Sequence, residues 1–119
     1  MPLARWIGCG KRPRAADDAG LEPWRVSEDD FPAGGTRDEQ LRFLLGYAIL
    51  APSSHNSQPW RFSVSNSHID VFMDKDRRLK VADADGRELR LSIGCALENL
   101  LIAAEHFGLK HQVTYFPEA

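Results

Sequence analysis

Cysteine is scarce in this chain. Cys9 and Cys95 lie far apart in no metal or redox spacing, so neither a disulfide framework nor a zinc motif is written here. Cys95 falls in the apolar run 93–97, where a free thiol packs as a small hydrophobe. The four histidines, His55, His68, His106 and His111, show no ligand spacing either, and no metal site is expected. An excess of either charge is also missing. With 15 basic against 17 acidic residues, the net charge of -2 offers no general basic surface to a nucleic acid. No apolar stretch approaches the roughly 20 residues that a membrane helix needs. Arg5, Lys11, Arg12 and Arg14 precede the first acid, Asp17, but Gly8, Gly10 and these charges break up any apolar core. A secretory signal or other targeting segment is therefore not expected. These exclusions leave a soluble globular chain of one-domain length, expected in the cytoplasm, with neither nucleic acid nor membrane as partner. Hydrophobic residues make up 43%, enough to exclude wholesale disorder.

Regular periodicity starts late. Residues 1–35 hold Pro2, Pro13, Pro23 and Pro32 with five glycines, which rules out a long helix and predicts an irregular N-terminal arm. Trp6, Trp24 and Phe31 are its apolar exceptions, able to pin it to a folded body or to a partner chain. Residues 36–119 form the folded part. Thr36-Arg-Asp-Glu39 has capping-box spacing, and Leu41, Leu44, Leu45, Ala48 and Ile49 follow on one helical face. Pro52 disfavours helical geometry at Ala51, which predicts a helix over about 36–50. Trp60, Phe62 and Val64 then alternate with polar residues as a half-buried strand does. Asn66-Ser67 is a tight turn without the usual glycine, and 68–73 is the return strand. In the charged stretch 74–84, Leu79 and Val81 are the expected anchors.

Asp85-Gly-Arg-Glu88 repeats the capping-box spacing ahead of a helix over 89–107, apolar at 89, 93, 96, 97, 100, 101, 104 and 107. Leu91, Ile102 and Ala103 widen that stripe, so the helix is expected to be central and covered on more than one side. Gly108 is placed for a left-handed cap, and 113–116 reads as a last strand before Pro117. The order helix, two strands, long helix, strand is an α+β layout with a sheet packed against helices. A hairpin and one short strand are too little to cover so broad an apolar stripe. A partner chain or a continuation of the fold is expected to complete it.

Residues 51–60, Ala-Pro-Ser-Ser-His-Asn-Ser-Gln-Pro-Trp, carry the most information. Ser, Asn and Pro are ordinary turn residues, and by themselves they signal only a hydrogen-bonded loop. Set between a helix and the strand Arg61-Phe-Ser-Val, the segment resembles the signature loop of the nitroreductase family. Residues 94–109 resemble the long central helix of that fold. Phe31-Pro32, residues 41–60 and Arg87-Glu-Leu resemble more closely its Acg-type branch, which is built as two fused halves. The resemblance covers roughly residues 31–117 and implies a nitroreductase-like α+β fold, here the N-terminal half of the full fold.

The same resemblance implies FMN as cofactor and NAD(P)H as reductant, with a nitro compound or quinone as small-molecule acceptor. It also implies a flavin held at a subunit interface, hence a homodimer or a complementary half as partner. The residues that match the family's flavin contacts are Pro52, Ser53, Ser54 and Asn56; no residue is assigned as catalytic, and His55 has no role. A flavin ring edge presents N3–H as donor with O2, O4 and N5 as acceptors, which hydroxyls and an amide can match. Gln58 and Trp60 are expected to be structural, with Trp60 filling the core beneath the loop. The family's Arg-x-Ser-x-Arg arm, which grips the flavin phosphate, has no counterpart in Arg5 or in Lys11-Arg-Pro-Arg14. The family's further phosphate contacts fall beyond the matched region. Two functions stay open at this point: an FMN-dependent oxidoreductase in partial form, or a flavin-binding protein that sequesters the cofactor without turnover.

Overall fold

The structure, a computed structural model, describes residues 21–117. Trp6, Cys9 and the basic residues Arg5, Lys11, Arg12 and Arg14 of the expected arm lie outside the described residues. Helix α1 spans Arg37–Ala48, and both halves of its capping box form. The Glu39 amide donates to Thr36 Oγ1 at 3.2 Å, and the Thr36 amide to Glu39 Oε2 at 2.7 Å. Two orphan amide groups of the first turn are thereby satisfied.

Strands β1 (Trp60–Ser65) and β2 (His68–Met73) pair antiparallel, with Phe62 opposite Val71 and Val64 opposite Ile69. Asn66 and Ser67 join them at φ +49° and +63°. Two left-handed residues give the turn the hand of the strands' own twist, and Asn accepts that conformation more readily than Ser. The Ser67 amide also donates to Asp38 Oδ1 at 3.0 Å, which ties the hairpin tip to the first turn of α1.

Two expectations for the stretch after β2 fail. Val81 is 96% exposed and anchors nothing, whereas Asp83 is buried. Helix α2 spans Arg87–His106, but the box from Asp85 to Glu88 does not form. Gly86 holds the cap position at φ +70° and offers no side chain. Asp83 takes over, accepting from the Glu88 amide at 3.0 Å and the Leu89 amide at 2.9 Å. Asp85 accepts only from the Arg87 amide, at 3.1 Å. At the other end Gly108, at φ +72°, closes the helix as expected. The Leu109 amide reaches Ala104 O at 2.8 Å and the Gly108 amide Glu105 O at 3.0 Å, a Schellman pair.

The expected last strand is absent. Residues 113–116 have no regular structure, and Tyr115 and Phe116 are exposed. Among the described residues the sheet has only β1 and β2, and this segment meets no ladder partner. An apolar run without such a partner does not become a strand.

Helices α1 and α2 pack directly on each other, and the hairpin leans on both. Leu44 and Ala48 meet Leu100, Ala103 and Ala104; the alanines let the helices approach closely. Phe31 stacks on Phe107 with ring centroids 4.3 Å apart and meets Phe43 edge-on at 5.5 Å. It pins the segment ahead of α1, while Trp24 is largely exposed among the described residues. The second apolar face of α2 is open: Leu91 and Ile102 are 60% and 57% exposed. Among the described residues the helix is therefore covered on one side only.

Candidate functional site

Two buried anchors hold the loop between α1 and β1. Ala51 and Trp60 pack against Ala96 of α2, with Pro59 fully enclosed beside them. Trp60 thus fills the core beneath the loop, as expected from the sequence. Between these anchors the chain makes a short turn at Ser54–Asn56, and His55, Asn56 and Gln58 have φ of +51°, +51° and +47°. Three left-handed residues in four cost conformational energy and persist only when bonds around them compensate.

Those bonds run both within the loop and across to α2. The Gln58 amide donates to Ser53 Oγ at 3.0 Å, and Gln58 Nε2 to Asn56 Oδ1 at 3.1 Å. Gln58 is therefore structural, as expected. The Ser54 amide donates to Ser92 Oγ at 3.3 Å, and the Ser54 hydroxyl donates to the Glu88 carboxylate. Ser92 is buried and its hydroxyl donates to Glu88 O at 2.8 Å, so it is satisfied on both sides. Arg77 donates to Ser57 O at 3.3 Å from the opposite side.

Of the four residues singled out in the sequence, Pro52 and Asn56 are exposed, whereas Ser53 and Ser54 are half-buried. All four share this one short loop. Sequence reasoning missed Glu88 and Ser92. It assigned Glu88 to a capping box, but Asp83 caps the helix and frees the Glu88 carboxylate for Ser54. A signal for Ser92 was present: a hydroxyl between Leu89 and Ala96 in the apolar stripe of α2 requires a polar partner.

The electrostatics of this corner follow from Asp83. Burial raises its pKa, but the Leu89 and Glu88 amides, with Asp85 and the Arg87 amide, more than offset this, and the net shift is downward. Asp83 is accordingly an ionised carboxylate at the positive end of α2, where a helix favours negative charge.

Ser53 Oγ accepts from the loop and keeps its proton free among the described residues, and Asn56 Nδ2 is exposed. These groups suit the acceptor oxygens of a flavin ring, and the Ser54 oxygen lone pairs suit its N3–H. By donor and acceptor type, these residues would suit a flavin ring edge. Arg77, the basic side chain hydrogen-bonded to this loop, is already bound to the Ser57 and Gln58 carbonyls.

A separate cavity of about 340 Å³ lies farther along α2, lined by Tyr47, Leu50, Asn99, Ile102 and Phe107, with Glu28 and His106 at its edge. Burial raises the pKa of Tyr47, and Glu28 and Asp30 add to this. The cavity is mostly apolar and none of the four loop residues reaches it. No group of three or more His, Cys, Asp or Glu suited to a metal occurs among the described residues. Nor is any helix among them long and apolar enough to cross a membrane.

Over 80 residues, 67% of its length, the chain is 41% identical to "Putative NAD(P)H nitroreductase Rv3131" of Mycobacterium tuberculosis. Over 77 residues it is 41% identical to "Putative NAD(P)H nitroreductase acg" of the same organism. Over 75 residues it is 35% identical to "Probable NAD(P)H nitroreductase PigM" of a Serratia strain. The matched stretch spans 23%, 23% and 21% of these relatives, and it covers their N-terminal part. No protein-family model and no solved structure matches the chain.

Proposed function

We propose, for a chain homologous to the N-terminal part of proteins named as NAD(P)H nitroreductases, that loop 52–56 is the flavin-ring contact of an FMN-dependent NAD(P)H oxidoreductase. The observation that carries this reading is the loop itself. Its ends are buried, its strained turn is braced by five hydrogen bonds that involve side chains, three of them to its backbone, and its unused polar atoms suit a ring edge. Strained backbone of this kind, held by surrounding bonds, tends to cluster at ligand-binding sites. In this reading Pro52 gives apolar contact to the ring face, Ser53 and Asn56 donate to its oxygens, and Ser54 accepts from it. No side chain of the loop acts as acid, base or nucleophile. The hydride chemistry, from NAD(P)H to a nitro compound or quinone, would be the flavin's own.

Leu91 and Ile102 support a further part of the proposal. Their open face on α2 is the surface on which a second copy, or the complementary half of a nitroreductase-like fold, would sit. The chain spans less than a quarter of its relatives' length, so the activity of the whole protein belongs to this proposal as well.

Flavin-fluorescence titration tests the loop assignment. Asn56→Ala removes an exposed amide donor together with the acceptor of Gln58 Nε2. We expect FMN affinity to fall by about 1–3 kcal/mol, or roughly five- to 150-fold. Lys80→Ala, in the exposed stretch before Asp83, should leave it unchanged. Equal affinities in the two variants would remove the loop from the site.

A further inference from the structure

The hydrogen bonds that shape the loop also decide which of its groups can donate and which can accept. A carboxylate only accepts, so the Ser54 hydroxyl must spend its proton on Glu88, leaving Ser54 Oγ with lone pairs alone for a ligand. Ser53 is set the opposite way. Its oxygen receives the Gln58 amide at 3.0 Å, and its proton is uncommitted among the described residues. In Asn56 the carbonyl oxygen accepts from Gln58 Nε2 at 3.1 Å, which leaves the NH₂ group as the side chain's donor. Ser53 and Asn56 thus each keep a donor, and Ser54 between them in sequence keeps an acceptor.

We propose that Glu88, together with Gln58, presets this polarity and thereby makes the loop selective for a cyclic imide edge. Such an edge runs acceptor, donor, acceptor: a carbonyl, an N–H and a second carbonyl. The pyrimidine side of a flavin has it in O2, N3–H and O4, and so does a uracil ring. Glu88 touches no ligand in this scheme. It is a positioning residue that acts through Ser54, held in place because Asp83 takes over the cap that Glu88 would otherwise share. Ser92 fixes the backbone of the same residue through the Ser54 amide. The inference deepens the flavin assignment and rests on it for the identity of the ring.

Fluorescence and NMR titrations of the 119-residue chain with FMN, N3-methyl-FMN and uridine monophosphate test it. The wild-type chain should bind FMN at least about tenfold more tightly than the N3-methyl compound, the loss of one buried hydrogen bond. Ser54→Ala should bring the two affinities to within about twofold, because the acceptor is gone and the methyl group gains room. Glu88→Ala should weaken FMN by about three- to tenfold and leave N3-methyl-FMN unchanged, because the Ser54 hydroxyl is then free to turn. Unchanged amide shifts in α1 and in α2 beyond Ala96 would show that the fold of both variants is intact. Equal binding of FMN and N3-methyl-FMN by the wild type would overturn the preset polarity while leaving the flavin assignment standing. So would a Glu88→Ala chain that binds FMN as well as the wild type. Loop shifts caused by uridine monophosphate and not by FMN would support the polarity and overturn the flavin. No loop shift with any of the three would overturn both.

Discussion

Asp83 shows how much one carboxylate can decide. It is buried, accepts from two amides of the first turn of α2, and has its pKa lowered despite the burial that raises it. A carboxylate bound more tightly by acid when unfolded than when folded stabilises the fold above its ordinary titration range. That contribution is lost as pH falls below about 4 and through the lower native value. Thermal unfolding followed from pH 7 to pH 2 should therefore show an acid-sensitive component that Asp83→Asn removes, with a lower melting temperature at neutral pH. An unchanged acid profile in that variant would place the sensitivity elsewhere. The sequence drew attention to Asp85 and Glu88, because their spacing matches a known cap. What it could not show is that residues 79–86 turn back far enough to bring Asp83 to the helix end. Ser53, Ser54 and Asn56 were legible from their order alone, but their partners were not. Glu88 and Ser92 lie more than 30 positions away in sequence, and only the packing of Trp60 on Ala96 brings them near.

Among the elements, those whose signals are local mostly came out as read, the box at Asp85–Glu88 being the exception. The box at Thr36 opens α1, Gly108 ends α2, and the alternation of Trp60, Phe62 and Val64 marks β1. The element that failed, 113–116, depends on a neighbour for its existence, and alternating composition says nothing about whether one is there. The hairpin turn invites a direct test. Ser67 holds φ of +63°, where a Cβ is disfavoured, and its interaction with Asp38 uses only the backbone amide. Ser67→Gly should relieve this while keeping the bond, and we expect a stabilisation of about 0.5–1 kcal/mol in urea unfolding. Destabilisation would mean that the Ser67 side chain has a role its contacts do not reveal. Trp60→Ala works in the opposite direction. It removes the floor shared by the loop and α2 and should cost about 3–5 kcal/mol, taking the loop bonds with it.

For the whole molecule, the open face of α2 matters most. Leu91 and Ile102 lie on one stripe of the helix and are more than half exposed among the described residues. Exposed apolar groups arranged in this way favour association. Sedimentation of the chain at tens of micromolar should show a species larger than a monomer, and Leu91→Asp with Ile102→Asp should shift it toward the monomer. A wild-type chain that sediments as a compact monomer would leave the face without a partner. The α+β layout and its two helices could be read from periodicity, but the share of α2 left open could not. It depends on how little of the helix one hairpin covers, and that is settled only by three-dimensional packing.

The flavin-ring role of loop 52–56 can be tested most directly by following every amide of the chain during an NMR titration with FMN up to millimolar concentration. Chemical shifts do not require tight binding, so a site weakened at its phosphate end would still be seen. We expect saturable shifts at Ser53, Ser54, Asn56 and the adjoining first turn of α2, with Asn99, Ile102 and Phe107 around the second cavity unmoved. Shifts confined to that cavity, or none at the loop at any concentration, would contradict the assignment.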